Sequence, residues 1–139
     1  MKIANASVTV KTAARVAVVN VTAECREALS SVGIARGIAV LTVPHTTCGL
    51  CVNEDEPGLR RDLERLASSL VDLVKPPDGF QHDRVDDNAR AHLTAVLLGH
   101  SVTVPILEGA LVLGTWQSLF LLEIDGPRKR TLDMMFLGE

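Results

Sequence analysis

The order of patterns along this chain predicts an α+β fold in a single domain, and three observations carry that reading. Leu59, Leu63, Leu66, Leu70 and Leu73 recur at helical spacing in the middle of the chain. From Ser101 to Phe136 the chain turns to short apolar runs separated by Glu108-Gly109, Gly114 and Asp125-Gly126, which read as hairpin signals between antiparallel neighbours. Helical and strand patterns are grouped rather than regularly alternating, which argues against a βαβ series. At 139 residues the chain fits one domain, spanning 1–139, whose core needs neither a disulfide nor a structural metal.

The elements follow in order. Ser7 to Val21 is rich in Val, Thr and Ala and predicts two strands with a turn near Lys11-Thr12-Ala13. Thr22 is the expected N-cap of a helix running to about Val32, with Gly33 and Gly37 as stop signals. Gly37 to Val43 is a continuous apolar run, expected as a buried strand that Pro44 ends, and Thr47 to Asn53 reads as another strand. Pro57 suits the first position of a second helix, and Glu54, Asp55 and Glu56 favour its positive end. Its leucine stripe, about two heptads long, is too short for a coiled coil and predicts a core-facing helix ending before Pro76-Pro77. After a polar loop from Asp78 to Asp87, one of Asp86, Asp87 and Asn88 is expected to cap a third helix that stops at Gly99. Strands over Val102–Leu107, Ala110–Leu113, Trp116–Ile124 and Lys129–Phe136 complete the pattern.

Composition narrows the function classes. Hydrophobic residues make up 47% of the chain, and its mean hydropathy is +0.23, so some apolar surface is expected in an oligomer interface. A formal charge of −3 and a pI near 5.8 argue against a nucleic-acid binder. No apolar run reaches the roughly 18 residues of a membrane span. Met1-Lys2-Ile3-Ala4-Asn5 lacks the continuous apolar core of a signal peptide. Cys25, Cys48 and Cys51, an odd count without a secretory context, read as reduced thiols. The expectation is a cytoplasmic protein without membrane or nucleic-acid partners.

Polar residues that could do chemistry collect at element ends, where a rigid scaffold presents reactive groups. His45, His82 and His92 come from three different elements and could form a three-histidine site for a divalent metal with an open fourth position. Their spacings of 37 and 10 residues match no local metal signature, so hydrogen-bonded structural histidines remain the alternative. His100, after Gly99, is expected at the surface. Cys48 and Cys51 lie three apart on a predicted strand, so their sulfurs should face opposite sides and serve as small apolar groups. Asp86 and Asp87 could act as general bases or as oxygen ligands for magnesium with a pyrophosphate, or could simply cap a helix. Glu54 and Asn53 carry a similar ambiguity. Gly114-Thr115 before Trp116-Gln117 could cradle a phosphate with backbone N–H groups, or could be a tight hairpin beside a buried tryptophan.

Three ordered motifs resemble the YjbQ-like family, also called the secondary thiamine-phosphate synthase family. The first is Ser101-Val102-Thr103-Val104-Pro105-Ile106, then Gly109, then Leu113-Gly114-Thr115-Trp116-Gln117. The second runs from Pro44-His45-Thr46-Thr47 to Asn53-Glu54, and the third is His82, Asp86-Asp87-Asn88, Ala91-His92 and Leu97-Leu98-Gly99. Cys48, Cys51, His100 and the short loop between His82 and Asp86 depart from the family pattern. The resemblance implies a large, mostly antiparallel sheet or sandwich flanked by about three helices, and a homotrimer with sites near subunit boundaries. It also implies a weak thiamine-phosphate synthase activity, which joins a pyrimidine-methyl pyrophosphate to a thiazole phosphate and releases pyrophosphate. On that reading His45, His82 and His92 hold zinc or magnesium or bind anionic oxygens. Glu54, Asp86 and Asp87 handle protons or a second ion. Thr46, Thr47, Asn53, Gly114, Thr115, Trp116 and Gln117 bind a small phosphorylated metabolite. A metal-dependent phosphate-ester hydrolase and a non-catalytic metabolite-binding trimer are the competing expectations.

Overall fold

Alternation along each strand decides which layer a side chain enters. In the computed structural model, which describes residues 1–139, the chain forms β1 (Lys2–Lys11), β2 (Ala17–Asn20), α1 (Thr22–Val32), β3 (Gly37–Thr42), β4 (Cys48–Glu54), α2 (Pro57–Ser69), α3 (Ala89–Leu98), β5 (Ser101–Leu107), β6 (Ala110–Leu111), β7 (Gln117–Glu123) and β8 (Lys129–Gly138). Short 3-10 segments at Leu70–Val74 and Gln81–Arg84 link α2 to α3. The strands build a five-stranded sheet in the order β1-β8-β3-β5-β6 and a three-stranded sheet in the order β2-β7-β4, with every pairing antiparallel. This is the α+β architecture with three helices that the patterns predicted.

The two sheets face each other. In β8 every second residue from Arg130 to Phe136 is buried, and Leu132, Met134 and Phe136 meet Leu119 and Leu121 of β7 in one apolar cluster. Cys25, Ala28 and Leu29 of α1 close the same cluster. The other face of β7 presents Phe120 and Leu122, which pack with Val18, Leu63 of α2 and Leu98 of α3. Covered on both sides, β7 is buried at every position from Leu119 to Glu123, the continuous pattern of a strand with no solvent face. Cys48 belongs to the cluster between the sheets and Cys51 packs against the smaller one, so the two sulfurs do face opposite sides of β4. Gly37 is required where β3 meets β8, because a Cβ there would run into the Leu137 carbonyl.

Several local expectations are corrected. β1 starts at Lys2 rather than near Ser7, and it joins a different sheet from β2. Of the three turn signals, only Glu108-Gly109 makes a hairpin, between β5 and β6. The segments around Gly114 and Asp125-Gly126 carry the chain from one sheet to the other, so composition marked turns correctly but not what they connect. Thr22 is the first residue of α1, not its cap: its N–H donates to Asn20 Oδ1 at 2.9 Å, while its hydroxyl accepts from the Leu119 N–H at 2.8 Å. Asp86, Asp87 and Asn88 give α3 no side-chain cap, because Asp83 Oδ1 already accepts from the Ala89 N–H at 2.9 Å. The leucine stripe of α2 does not face the core as a whole. Leu63 does, but Leu66 is 50% exposed and Leu73, past the end of the helix, is 93% exposed. Ala67 and Val71 are the buried positions there.

Candidate functional site

The interior stripe of β7 runs Leu119, Leu121, Glu123, and that of β8 runs Phe136, Met134, Leu132, Arg130. At one end of the sandwich the apolar stack therefore gives way to an ion pair spanning the two sheets. Glu123 is fully buried and Arg130 is 5% exposed. Glu123 Oε1 accepts from Arg130 Nη2 at 2.5 Å and from the Ile124 and Asp125 N–H groups at 2.9 Å each. Its Oε2 accepts from Arg130 Nε at 2.8 Å and from the Thr12 hydroxyl at 2.9 Å. Burial pushes the Glu123 carboxyl up, but the bonds from Arg130, the Asp125 amide and Thr12 outweigh it and hold it below the usual carboxylate range. Arg130 Nη2 also donates to Thr47 Oγ1 at 2.9 Å.

Above this pair lies a cleft of about 340 Å³ with no apolar side chain in its wall apart from the ring of Pro44. It is lined by His45, Thr46 and Thr47 before β4, Asn88 and His92 at the start of α3, and Asp125, Arg128 and Arg130 around the turn into β8. A space of that size suits one small ligand. His45 Nε2 accepts from the Thr131 N–H at 2.8 Å, so the proton of the neutral ring sits on Nδ1. Burial first, and the charge of Arg130 second, lower the His45 pKa. Asn88 bridges two elements: its Nδ2 donates to Asp125 Oδ2 at 3.1 Å, and its Oδ1 accepts from His82 Nε2 at 3.1 Å. Arg128 Nη2 donates to the same Asp125 oxygen at 2.8 Å. Burial raises the Asp125 pKa, and the bonds from Asn88 and Arg128 more than reverse it.

The expected site residues divide. His45, Thr46, Thr47 and His92 share the cleft. His82 lies behind His92, with ring centroids 4.8 Å apart and edge to face, and reaches the cleft only through Asn88. Asp86 and Asp87 line an adjoining polar trench with Arg15, Asn88, Asp125 and Arg128. Thr47 is buried, its hydroxyl oxygen accepting from Arg130 Nη2 and its carbonyl from the Ile124 N–H, so it shapes the wall and helps hold Arg130. Asn53, Glu54, Gly114, Thr115, Trp116 and Gln117 stand elsewhere. Gln117 pairs with Glu54 at the far end of β7, about 20 Å from Glu123 at roughly 3.4 Å per residue. There the Gly114 N–H already donates to Gln117 Oε1 at 2.7 Å, so it cradles no phosphate, and Trp116 is 72% exposed rather than buried.

The three-histidine metal centre does not fit this geometry. No three His, Cys, Asp or Glu side chains gather as a ligand set. His45 Nε2 has its lone pair engaged by Thr131, and its other nitrogen carries the proton, so His45 has no lone pair to give a metal. The thiols are no substitute: burial, with Glu24 nearby, pushes Cys25 up to about 12, and burial chiefly pushes Cys48 up to about 11. Sequence reasoning missed Glu123, Asp125, Arg128 and Arg130. Their signal was present, because Glu123 and Arg130 continue interior stripes that are otherwise apolar.

Fold and cleft together define a class: an antiparallel α+β sandwich with a polar cleft at one end, lined by basic and imidazole groups. The model of the family described as UPF0047 protein YjbQ-like matches residues 6–139, and the chain belongs to that family. Among curated relatives, a UPF0047 protein of Archaeoglobus fulgidus is 45% identical over 122 residues, covering 88% of this chain and 92% of the relative. The UPF0047 protein YugU of Bacillus subtilis is 34% identical over 130 residues, covering 93% and 96%. A solved YbjQ-like protein of unknown function from Sulfolobus solfataricus superposes with a TM-score of 0.91 at 37% identity, covering 99% of each chain. A hypothetical protein of Aeropyrum pernix gives 0.90 at 43% identity, covering 98% of this chain and 99% of that one. No helix here is long and apolar enough to cross a membrane.

Proposed function

We propose that this chain is an enzyme of small phosphorylated metabolites, with the joining of a pyrimidine-methyl pyrophosphate to a thiazole phosphate as the reaction to test first. The observation that carries the reading is the wall of the cleft. Arg128, Arg130, His45 and His92 line it against one carboxylate, Asp125, which is already bonded to Arg128 and Asn88. Preset donors around a concavity favour charge developing on a departing pyrophosphate. The His45 Nδ1–H is one such donor, because Thr131 fixes the tautomer. Asp86 and Asp87, in the adjoining trench, are the carboxylates assigned to proton transfer.

Self-association is part of the proposal. The outward face of the larger sheet exposes Ile3, Ile38, Leu107 and Met135, and Trp116 stands free at the far end of β7. A homotrimer covers such surface and gives Glu54, Trp116 and Gln117 a place at a subunit boundary instead of in their own chain's cleft. Light scattering should return about three chain masses, and a stable monomer at micromolar concentration would exclude any shared site.

The decisive experiment incubates the protein with both substrates and follows pyrophosphate and thiamine phosphate together, with and without a chelator. Coupled formation of both products supports the transferase reading. Release of phosphate without condensation favours a hydrolase, and pyrophosphate binding with no turnover favours a binding protein. Failure to bind pyrophosphate at all sinks the proposal.

A further inference from the structure

We infer that Arg130 is the anchor for one anionic oxygen in the cleft and that Glu123 is its positioning residue; this rests on the phosphorylated-ligand reading above. Arg130 uses Nε and Nη2 on Glu123 and Nη2 on Thr47. Its Nη1 makes no hydrogen bond within the chain, although Arg130 is only 5% exposed. No buried side-chain nitrogen or oxygen is left without a partner, so Nη1 is not sealed inside the protein; it opens on the cleft that Arg130 lines. A guanidinium is planar, so fixing its Nε and Nη2 edge fixes where Nη1 points. Glu123 fixes that edge with two bonds and is itself held by the Ile124 and Asp125 amides and Thr12. The ligand donates nothing to this arrangement; it accepts. A phosphate or pyrophosphate oxygen, an acceptor carrying negative charge, is the chemistry that matches an unspent guanidinium N–H.

The design separates positioning from charge. Lysine at 130 keeps the charge but offers no second, rigidly directed donor while it faces Glu123. A charge-assisted hydrogen bond contributes about 1.5–3 kcal/mol, so its loss weakens binding by about 10-fold to 150-fold.

The test is calorimetric titration of the whole protein with inorganic pyrophosphate, alongside thermal unfolding, for wild type, Arg128→Ala, Arg130→Lys and the double variant Glu123→Gln with Arg130→Met. Replacing both charges together avoids stranding one of them, so the double variant keeps a fold that either single loss could break. Arg130→Lys and the double variant should both bind pyrophosphate at least about 10-fold more weakly. On wild-type protein, the Arg130 guanidinium nitrogen resonances should shift on adding pyrophosphate and stay unmoved with chloride. If wild type binds and Arg128→Ala weakens it, while Arg130→Lys and the double variant match wild type, the cleft reading stands and this inference falls. Unmoved Arg130 resonances in a saturated wild-type complex overturn it even if no variant folds. If wild type does not bind pyrophosphate, the functional reading fails first.

Discussion

β7 ends in two different ways, and the contrast separates a built site from a sticky surface. At its Glu123 end, charge lies inside the sandwich and both carboxylate oxygens accept hydrogen bonds before any ligand arrives. At its Gln117 end, the turn closes on itself through Gly114 and Gln117, and the tryptophan stands in solvent. Motif resemblance placed the phosphate pocket at both ends. Physical burial favours the first, because buried dipoles need no reorganisation when a charged ligand enters, whereas an exposed turn offers groups that water already satisfies.

The largest expected effect breaks the buried end. Arg130→Ala or Glu123→Ala leaves an unpaired charge in the sandwich and should cost about 3–5 kcal/mol in denaturant unfolding. Trp116→Ala, at the exposed end, should cost under about 1 kcal/mol in the isolated subunit. Equal losses at the two ends would erase the distinction.

Next comes Leu121→Ala against Leu66→Ala. Leu121 is fully buried in the cluster between the sheets, and its truncation should cost about 2–5 kcal/mol. Leu66, half exposed on α2, should cost about 1 kcal/mol or less in a dilute monomer. A large loss at Leu66 that grows with protein concentration would show a neighbouring subunit covering α2.

The pH response is smaller and has a definite sign. His45, Glu123 and Asp125 all have depressed pKa values in the fold. The stabilisation from each is complete above its ordinary value and is lost as pH falls through the folded value. Stability should therefore decline first below about pH 6.5 through His45, then again below about pH 4 through the carboxylates. His45→Asn should remove only the first decline, as read from denaturation midpoints between pH 8 and pH 3.

The smallest effect is expected at the thiols. With burial holding them protonated, Cys25 and Cys48 should react with a thiol reagent at neutral pH only as fast as the fold opens. Immediate modification of the native protein would contradict their placement.

Much of this fold was legible in local pattern, and the limits of that legibility are physical. Gly33 ended α1 and Pro57 opened α2, because each depends on neighbours in sequence, whereas the apolar run of β3 is buried only at Ala39 and Leu41, with Ile38 exposed on the outward face. What β7 and β8 pair with lies far away in the sequence, so turn composition at Gly114 and Asp125-Gly126 could not tell a hairpin from a crossing between sheets. The leucine stripe misled for a related reason. Periodicity shows that a helix has an apolar face, but not that the same chain covers it. The site was half visible: His45, Thr46, Thr47 and His92 came from motif and position. Arg130 and Glu123 were missed, because the alternation that puts them on interior stripes does not show that β8 and β7 face each other and pair the two charges.

The ion pair has one more consequence, for the alignment of the two sheets. They share no hydrogen-bonded ladder to set how far one slides across the other, and the single bond from the Leu50 N–H to the Gly99 carbonyl ties them only near one edge. Leucine against phenylalanine tolerates a small displacement, because contact between apolar groups has little directional preference. The Glu123–Arg130 bonds do not tolerate it. They act as a pin through a stack of otherwise slippery plates, and the shape of the cleft above is inherited from the position at which that pin locks.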